Sequence, residues 1–255
     1  MDNQTTLSVT LLTCNRLDVT KKTLKYLLAT THVDYELVIV HNHNHTKQAQ
    51  KVLDFFKNTK LNKPEKLKRV VKVFNPNNRG VAGGRNDGMH YSTGKHRVVI
   101  DDDILAPDCW AEEMLGLVEK LPGVAIVGCS VEPRDYPIVS KRGVRFQMKG
   151  DNIGGAFLMI PHRTFKRVGY FCEDYGVYGL EDADYHLRIK ALGQKNVYIT
   201  MKGKHIDPEN DKAYRKFKNS VYDQKGSLIK LLEKNGARYS KGKNIFQPYK
   251  PKINK

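Results

Sequence analysis

The chain has 255 residues, of which 40% are hydrophobic and 28% charged, enough to bury one large core or two tightly joined halves. No run approaches the roughly 18 apolar residues of a membrane-spanning helix, and the polar residues 1–6 lack the apolar centre of a signal peptide. A cytoplasmic protein without a transmembrane segment is expected, and Cys14, Cys109, Cys129 and Cys172 are too scattered for a zinc site or a disulfide framework.

The first hundred residues alternate between short apolar runs and amphipathic ones. Residues 7–13 (LSVTLLT) read as a strand, and 18–30 as a helix with Leu24, Leu27 and Leu28 at helical spacing behind an Asp18 cap. Residues 36–41 form a second predicted strand, 48–57 a second helix, 69–74 a third strand, 84–92 a short helix and 97–101 a fourth strand. Such alternation implies βαβ crossovers and a mainly parallel sheet covered on both faces. Ligands then bind beyond the carboxyl ends of the strands, where Thr13 to Arg16, His41 to His45 and Asp101 to Asp103 all fall.

Further along, a helix is predicted over 108–121, a strand over 124–129 and a Pro-, Arg- and Lys-rich loop over 131–150. Residues 152–161 read as a strand that starts on two glycines, 181–192 as a helix and 196–201 as a strand. Residues 211–235 suggest a basic amphipathic helix with Tyr214, Phe217, Val221, Leu228, Leu231 and Leu232 on one side. Gly226 weakens that helix by about 1 kcal/mol.

Charge is the unusual property. Against 27 Asp and Glu stand 44 Lys and Arg, a net charge of +17, and residues 201–255 alone hold 15 basic and 5 acidic side chains. Such a field attracts nucleic acid, an anionic membrane surface or a phosphorylated glycan; the plainer alternative is a solvated lysine-rich tail that maintains solubility.

Three segments could carry chemistry. Asp101, Asp102 and Asp103 close a predicted buried strand, and a hard divalent cation such as Mg2+ or Mn2+ would offset their mutual repulsion. On an extended strand Asp101 and Asp103 share one side while Asp102 points away; a solvated turn is the other reading. The segment from Asn78 to Asn86 reads as a glycine-rich turn entering a helix, able to bring backbone amides and Arg85 to an anion, although a plain tight turn would look the same. It lacks the Gly-Lys-Ser/Thr ending of an ATPase phosphate loop. Glu181, Asp182 and Asp184 open the helix that carries Arg188, where helix capping explains some acids and a general base could explain another.

The order Thr13-Cys14-Asn15-Arg16, Asn78-x-Gly80-Val81-Ala82-Gly83-Gly84-Arg85-Asn86, Asp101-Asp102-Asp103, Gly154-Gly155-Ala156-Phe157 and Glu181-Asp182-Ala183-Asp184-x-x-x-Arg188 resembles the GT-A-fold glycosyltransferases of family two. The resemblance spans about residues 7–205 and implies an α/β GT-A domain over 1–205. Within it, 1–104 would be the Rossmann-like nucleotide-sugar half and 105–205 the smaller acceptor half, with 206–255 a basic C-terminal helix and tail.

It implies a metal-dependent, inverting transfer of a sugar from a nucleotide-sugar donor, a UDP-sugar by preference, to an acceptor hydroxyl. Thr13, Asn15, Arg16, Asn42, Asn78, Gly80, Arg85, Asp101 and Asp102 would surround the donor. Asp101, Asp103 and His205 would hold Mn2+ or Mg2+, Gly154, Gly155 and Arg188 would face the acceptor, and Asp182 would be the general base beside Glu181. Relatives usually carry an Asp in the loop after strand two that contacts the base; here it reads His41-Asn42-His43-Asn44-His45, in which Asn can bond a base edge both ways. A metal site built on the three His is the alternative to a polar loop. The resemblance favours a cell-envelope glycan or lipid-linked saccharide as acceptor, with the basic tail at the inner face of the membrane. A hydroxymethylated base in phage DNA is the other acceptor that the charge suits. The other readings are a nucleotide-sugar-binding module without catalysis, which would release no sugar, and a nucleotidyltransferase, which would release pyrophosphate in place of nucleoside diphosphate.

Overall fold

The computed structural model describes residues 5–61, 64–150, 152–206, 216 and 225–250. Its first half follows the predicted alternation: β1 (Leu7–Thr13), α1 (Leu17–Thr30), β2 (Tyr35–Asn42), α2 (Lys47–Asn58), β3 (Leu67–Asn75), α3 (Gly80–His90) and β4 (His96–Asp101). The second half runs β5 (Ile104–Leu105), α4 (Trp110–Lys120), β6 (Val124–Ser130), β7 (Ile138–Lys141), β8 (Val144–Gln147), β9 (Phe157–Ile160) and α5 (His162–Val168). A 3-10 turn (Glu173–Tyr175), α6 (Glu181–Ala191), β10 (Lys195–Lys202), β11 (Lys204–His205) and α7 (Lys225–Tyr239) complete it.

Nine strands form one sheet in the order β3-β2-β1-β4-β9-β6-β10-β8-β7. The first four are mutually parallel, β9 runs antiparallel to both β4 and β6, and β6 pairs in parallel with β10. The sheet is therefore mixed, and it continues through both halves of the chain. Residues 131–150, expected as loop, contain the β7–β8 hairpin that ends the sheet. The strand expected from 152 begins only at Phe157, because 152–154 run free of the sheet before it joins β4.

Alternation along the strands separates two cores. Val98, Ile100, Phe157 and Met159 meet α1, α2 and α4 through Leu27, Phe56 and Trp110. On the opposite face, Val99, Leu158 and Ile160 join Met89, Val168, Tyr185 and Ile189 from α3, α5 and α6. The helix α1 starts without a side-chain cap, so Asp18 serves only as an acid in its first turn.

The glycine-rich segment corrects the sequence reading most. Gly83 and Gly84 lie inside α3, which begins four residues earlier than expected. Gly84 and Gly88 admit the sheet: a Cβ on Gly84 would stand 2.7 Å from Asn42 Nδ2, and one on Gly88 would strike the Thr10 side chain, whereas one on Gly83 would meet Arg79 at 2.9 Å. Of the glycines in this segment only Gly80, at φ +72°, uses the left-handed backbone, and there a Cβ would also collide with the carbonyl of Gly176 at 2.6 Å.

Of the C-terminal helix expected over 211–235, Tyr214, Phe217 and Val221 lie outside the described residues. The described part, α7, packs against α6, and its Asn235 and Tyr239 reach the buried Asp184. Among the described residues no helix is long and apolar enough to cross a membrane.

Candidate active site

The carboxyl ends of β1, β2 and β4 open into a cleft of about 360 Å3. Thr13, Asn15, Arg16, Asn42, Asn78, Gly80, Asp101, Asp102 and Asp103 all line it, joined by Cys14, Asn44 and Tyr178, which the sequence reading did not single out. Tyr178 belongs to the loop after the 3-10 turn, and that loop is tied to α3 where Val81 N–H donates to the Val177 carbonyl at 2.9 Å. Only a tertiary contact 96 residues apart brings it here, so no local signal could have found it.

The acid triplet is arranged differently from an extended strand. β4 ends at Asp101 and the chain turns at Asp102 and Asp103, so the pleat no longer separates their side chains. Arg16 Nη2 bonds Asp102 Oδ1 at 2.6 Å and Asp103 Oδ2 at 2.9 Å. Asp102 also accepts from the Thr20 hydroxyl at 3.0 Å, which fastens the triplet to α1. Burial raises its carboxyl to about 6, with Arg16 opposing and Asp103 adding to the rise.

Asp103 meets His205 Nε2 at 3.2 Å. The pairing of β11 with β5 explains this, since His205 stands in register with Ile104, the residue after Asp103. Burial pushes the Asp103 carboxyl up, but His205 and Arg16 outweigh it and hold it below its ordinary value. An ionised carboxylate beside an imidazole nitrogen offers donor types that Mn2+ or Mg2+ accepts, while Asp101, on the same cleft, turns toward Arg85.

Asp101 instead faces Arg85, 2.8 Å from Nη2, and Arg85 Nη1 lies 3.3 Å from Glu181 Oε1. Arg85 is buried within α3 with its charge shared by these two acids, so it does not border the cleft as expected of a phosphate ligand. Burial alone would lower its pKa; Asp101 and Glu181 raise it instead. Glu181 is raised to about 7 by burial, which Arg85 opposes and Asp182 reinforces.

Asp182 lies behind Gly155: a Cβ there would stand 3.1 Å from both Asp182 Oδ2 and Arg85 Nη1. Gly155 thus leaves room for the Asp182 carboxylate and the Arg85 guanidinium side by side. Gly154 has no such neighbour; its N–H donates to the Tyr198 hydroxyl at 2.7 Å.

Arg188 requires a correction. It is fully buried, donates to Asp184 at 2.9 Å and to the carbonyls of Val168 and Tyr170, and so braces α6 from within instead of facing an acceptor. Its spacing from Asp184, one turn of helix, already permitted this ion pair. The polar loop after β2 also starts later than expected, because His41 and Asn42 are buried strand residues. Asn42 donates to the Gly80 carbonyl at 2.8 Å and accepts from Asn75 at 2.9 Å, so its carboxamide already has partners inside the fold. Burial, then His43 and Lys57, lower His41 to about 4. Its ring meets His43 at 3.4 Å, and His45 bonds Asn77 at 2.8 Å.

A parallel sheet with an acid-bearing cleft at its carboxyl edge, extended by antiparallel strands, is the GT-A architecture. Two solved structures share it. The mannosyltransferase PcManGT from Pyrobaculum calidifontis, in complex with GDP-Man and Mn2+, aligns with a TM-score of 0.59 and 18% identity over 84% of this chain and 61% of that one. GalNAc-T7 with UDP, GalNAc and Mn2+ aligns at 0.57 and 12% identity over 81% of this chain and 45% of its own.

Residues 8–176 match the family model for Glycosyl transferase family 2, and the chain belongs to that family. A glucosyl-dolichyl phosphate glucuronosyltransferase of Haloferax volcanii is 32% identical over 112 residues, 44% of this chain. The chain spans about a third of the length of that curated relative.

Proposed function

We propose that this family 2 glycosyltransferase moves a sugar from a nucleoside diphosphate donor, a UDP-sugar by preference, to a hydroxyl on an anionic acceptor, with inversion in one step. The observation that carries the reading is the junction at Arg85, which links Asp101 on the cleft wall to Glu181, the neighbour of Asp182. Donor and acceptor chemistry thereby adjoin across Gly155.

Thr13, Asn15, Asn78 and Gly80 would line the nucleotide. Asn44, whose side-chain oxygen is taken by the Thr46 hydroxyl at 2.7 Å, keeps N–H donors for a base carbonyl, which suits uracil. Asp103 and His205, with Asp101, would hold Mn2+ or Mg2+. When bound, the ion supplies Lewis-acid stabilisation of the charge that builds on the departing diphosphate. Arg16 would orient Asp102 and Asp103, and Asp182 would accept the proton of the attacking hydroxyl. Glu181, paired with Arg85, would position that base and the acceptor.

Two observations favour an anionic acceptor. The chain carries +17, and the relative from Haloferax volcanii is named for a glucosyl-dolichyl phosphate. A donor screen read by nucleoside diphosphate release, with Mn2+ and Mg2+ compared, tests the assignment. Release of nucleoside diphosphate supports it. Pyrophosphate release would instead indicate a nucleotidyltransferase, and binding without cleavage would indicate a sugar-binding module.

A further inference from the structure

The helix α7 has two faces of opposite character. Its inner face is spent inside the protein: Leu228 lies against Gly179, Gly236 against Leu187, and Asn235 and Tyr239 bond Asp184. On the outer side Lys230, Lys234 and Arg238 follow at four-residue steps, and Lys241 and Lys243 continue into the next turn, all exposed. Successive cations of that series stand about 6 Å apart along the helix. Lys234, Arg238, Lys241 and Lys243 border an open groove of about 680 Å3 with Ala237 and Asn244. Residues 225–250 contain a single acid, Glu233.

This arrangement discriminates between polyanions. A helix that rests on a lipid surface needs a broad free apolar face to insert; on the described part of α7 Ile229 is the one exposed large apolar side chain, with Phe246 beyond the helix, while Leu228 seats on Gly179. A stripe of cations without such a face suits a partner held by its phosphates alone, which is how nucleic acid is gripped independently of sequence. Position links the stripe to the chemistry, because Leu228 seats on Gly179, two residues before Glu181, and α7 packs along α6, whose first turn holds Asp182.

We infer that the outer face of α7 and the turn after it bind the phosphate backbone of nucleic acid, so that the acceptor hydroxyl is carried on a nucleic acid strand beside Asp182. The acceptor assignment rests on the function proposed above; the binding itself does not. Anisotropy of a labelled, short mixed-sequence DNA duplex titrated with the full chain measures binding without any transfer. The expected result is an affinity that falls steeply with salt. Replacing Lys234, Arg238, Lys241 and Lys243 together by Gln weakens it at least about tenfold and flattens the slope of log K against log salt by about 3 to 4, since each phosphate contact contributes about 0.9.

The quadruple variant should keep its thermal midpoint and its donor cleavage. Lys234→Gln alone, a change at one exposed side chain, should lose about 0.9 of the slope and carries the test if the quadruple variant melts early. Unchanged binding in the variants, or no duplex binding by the unaltered chain, overturns the inference. So does co-sedimentation with phosphatidylserine vesicles that exceeds duplex binding and vanishes in the same variants. Duplex binding without donor cleavage would instead sink the proposed transferase reading and leave this surface standing.

Discussion

Arg85 holds one positive charge between Asp101 at 2.8 Å, on the cleft, and Glu181 at 3.3 Å, the neighbour of Asp182. This ties two acid clusters that are far apart in sequence, and it explains why Arg85 does not line the cleft. The roles on either side can be separated. Asp182→Asn keeps the shape of the base but removes its basicity, so turnover should fall by about 10²–10⁴-fold while donor affinity survives. Steady-state rates and donor titration measure both; unchanged turnover would remove Asp182 from the base role. Asp103→Ala should abolish the Mn2+-dependent part of donor binding in calorimetry, because it takes away the carboxylate that meets His205 at 3.2 Å. Donor binding that still responds to Mn2+ would place the ion elsewhere.

The helix α3 shows how an element can contradict its own composition. Three internal glycines cost helix stability, each by about 1 kcal/mol relative to Ala. Here Gly84 and Gly88 let α3 lie close against β1 and β2, which carries Gly80 and Asn78 to the rim of the cleft. Gly88→Ala should therefore destabilise the fold by about 1–3 kcal/mol, despite its gain in helix propensity, through overpacking against Thr10. Urea unfolding would measure it, and a variant more stable than the parent would refute the close-approach argument. The helix α6 repeats the lesson with charge: Glu181 at its N-terminus pairs with Arg85, while Asp184 and Arg188, one turn apart, are consumed in bracing α5 and α7.

At the scale of the whole molecule, burying acids near the cleft makes stability depend on pH. Glu181 is raised from 4.5 to about 7, so the folded chain binds a proton there that the unfolded chain releases. Stability from this group is intact below 4.5 and is lost as pH rises through about 7. Buried His41 acts in the opposite sense: lowered from 6.5 to about 4, it costs stability as pH falls through that window. Comparing the parent with Glu181→Gln isolates the first effect. In chelator, the difference in thermal midpoint between the two proteins should shift in favour of the variant from pH 5 to pH 8, by an amount set by the proton that only the parent can lose. A constant difference across that range would show that Glu181 titrates normally in the fold.

What the sequence by itself determined is the part written in local patterns. Alternating apolar runs specify β1 to β4 with their helices, because hydrophobic periodicity acts over a few residues. The end of β4 fixes where Asp101, Asp102 and Asp103 emerge, and the order of the motifs suffices to indicate the family. Tertiary structure alone decided which charges are free for chemistry. Arg85 looks like an isolated cation in the sequence, yet it is buried and shared with Glu181, an acid that the fold brings beside it; Arg188 has Asp184 one turn away, and what the fold adds is its complete burial. His205 meets Asp103 only through the β5–β11 pairing, and Tyr178 reaches the cleft on a loop that Val177 ties to α3. The reason is electrostatic: whether a charged group binds a ligand or braces the core depends on its desolvation and on the opposite charges within a few ångströms, and both are set by residues distant along the chain.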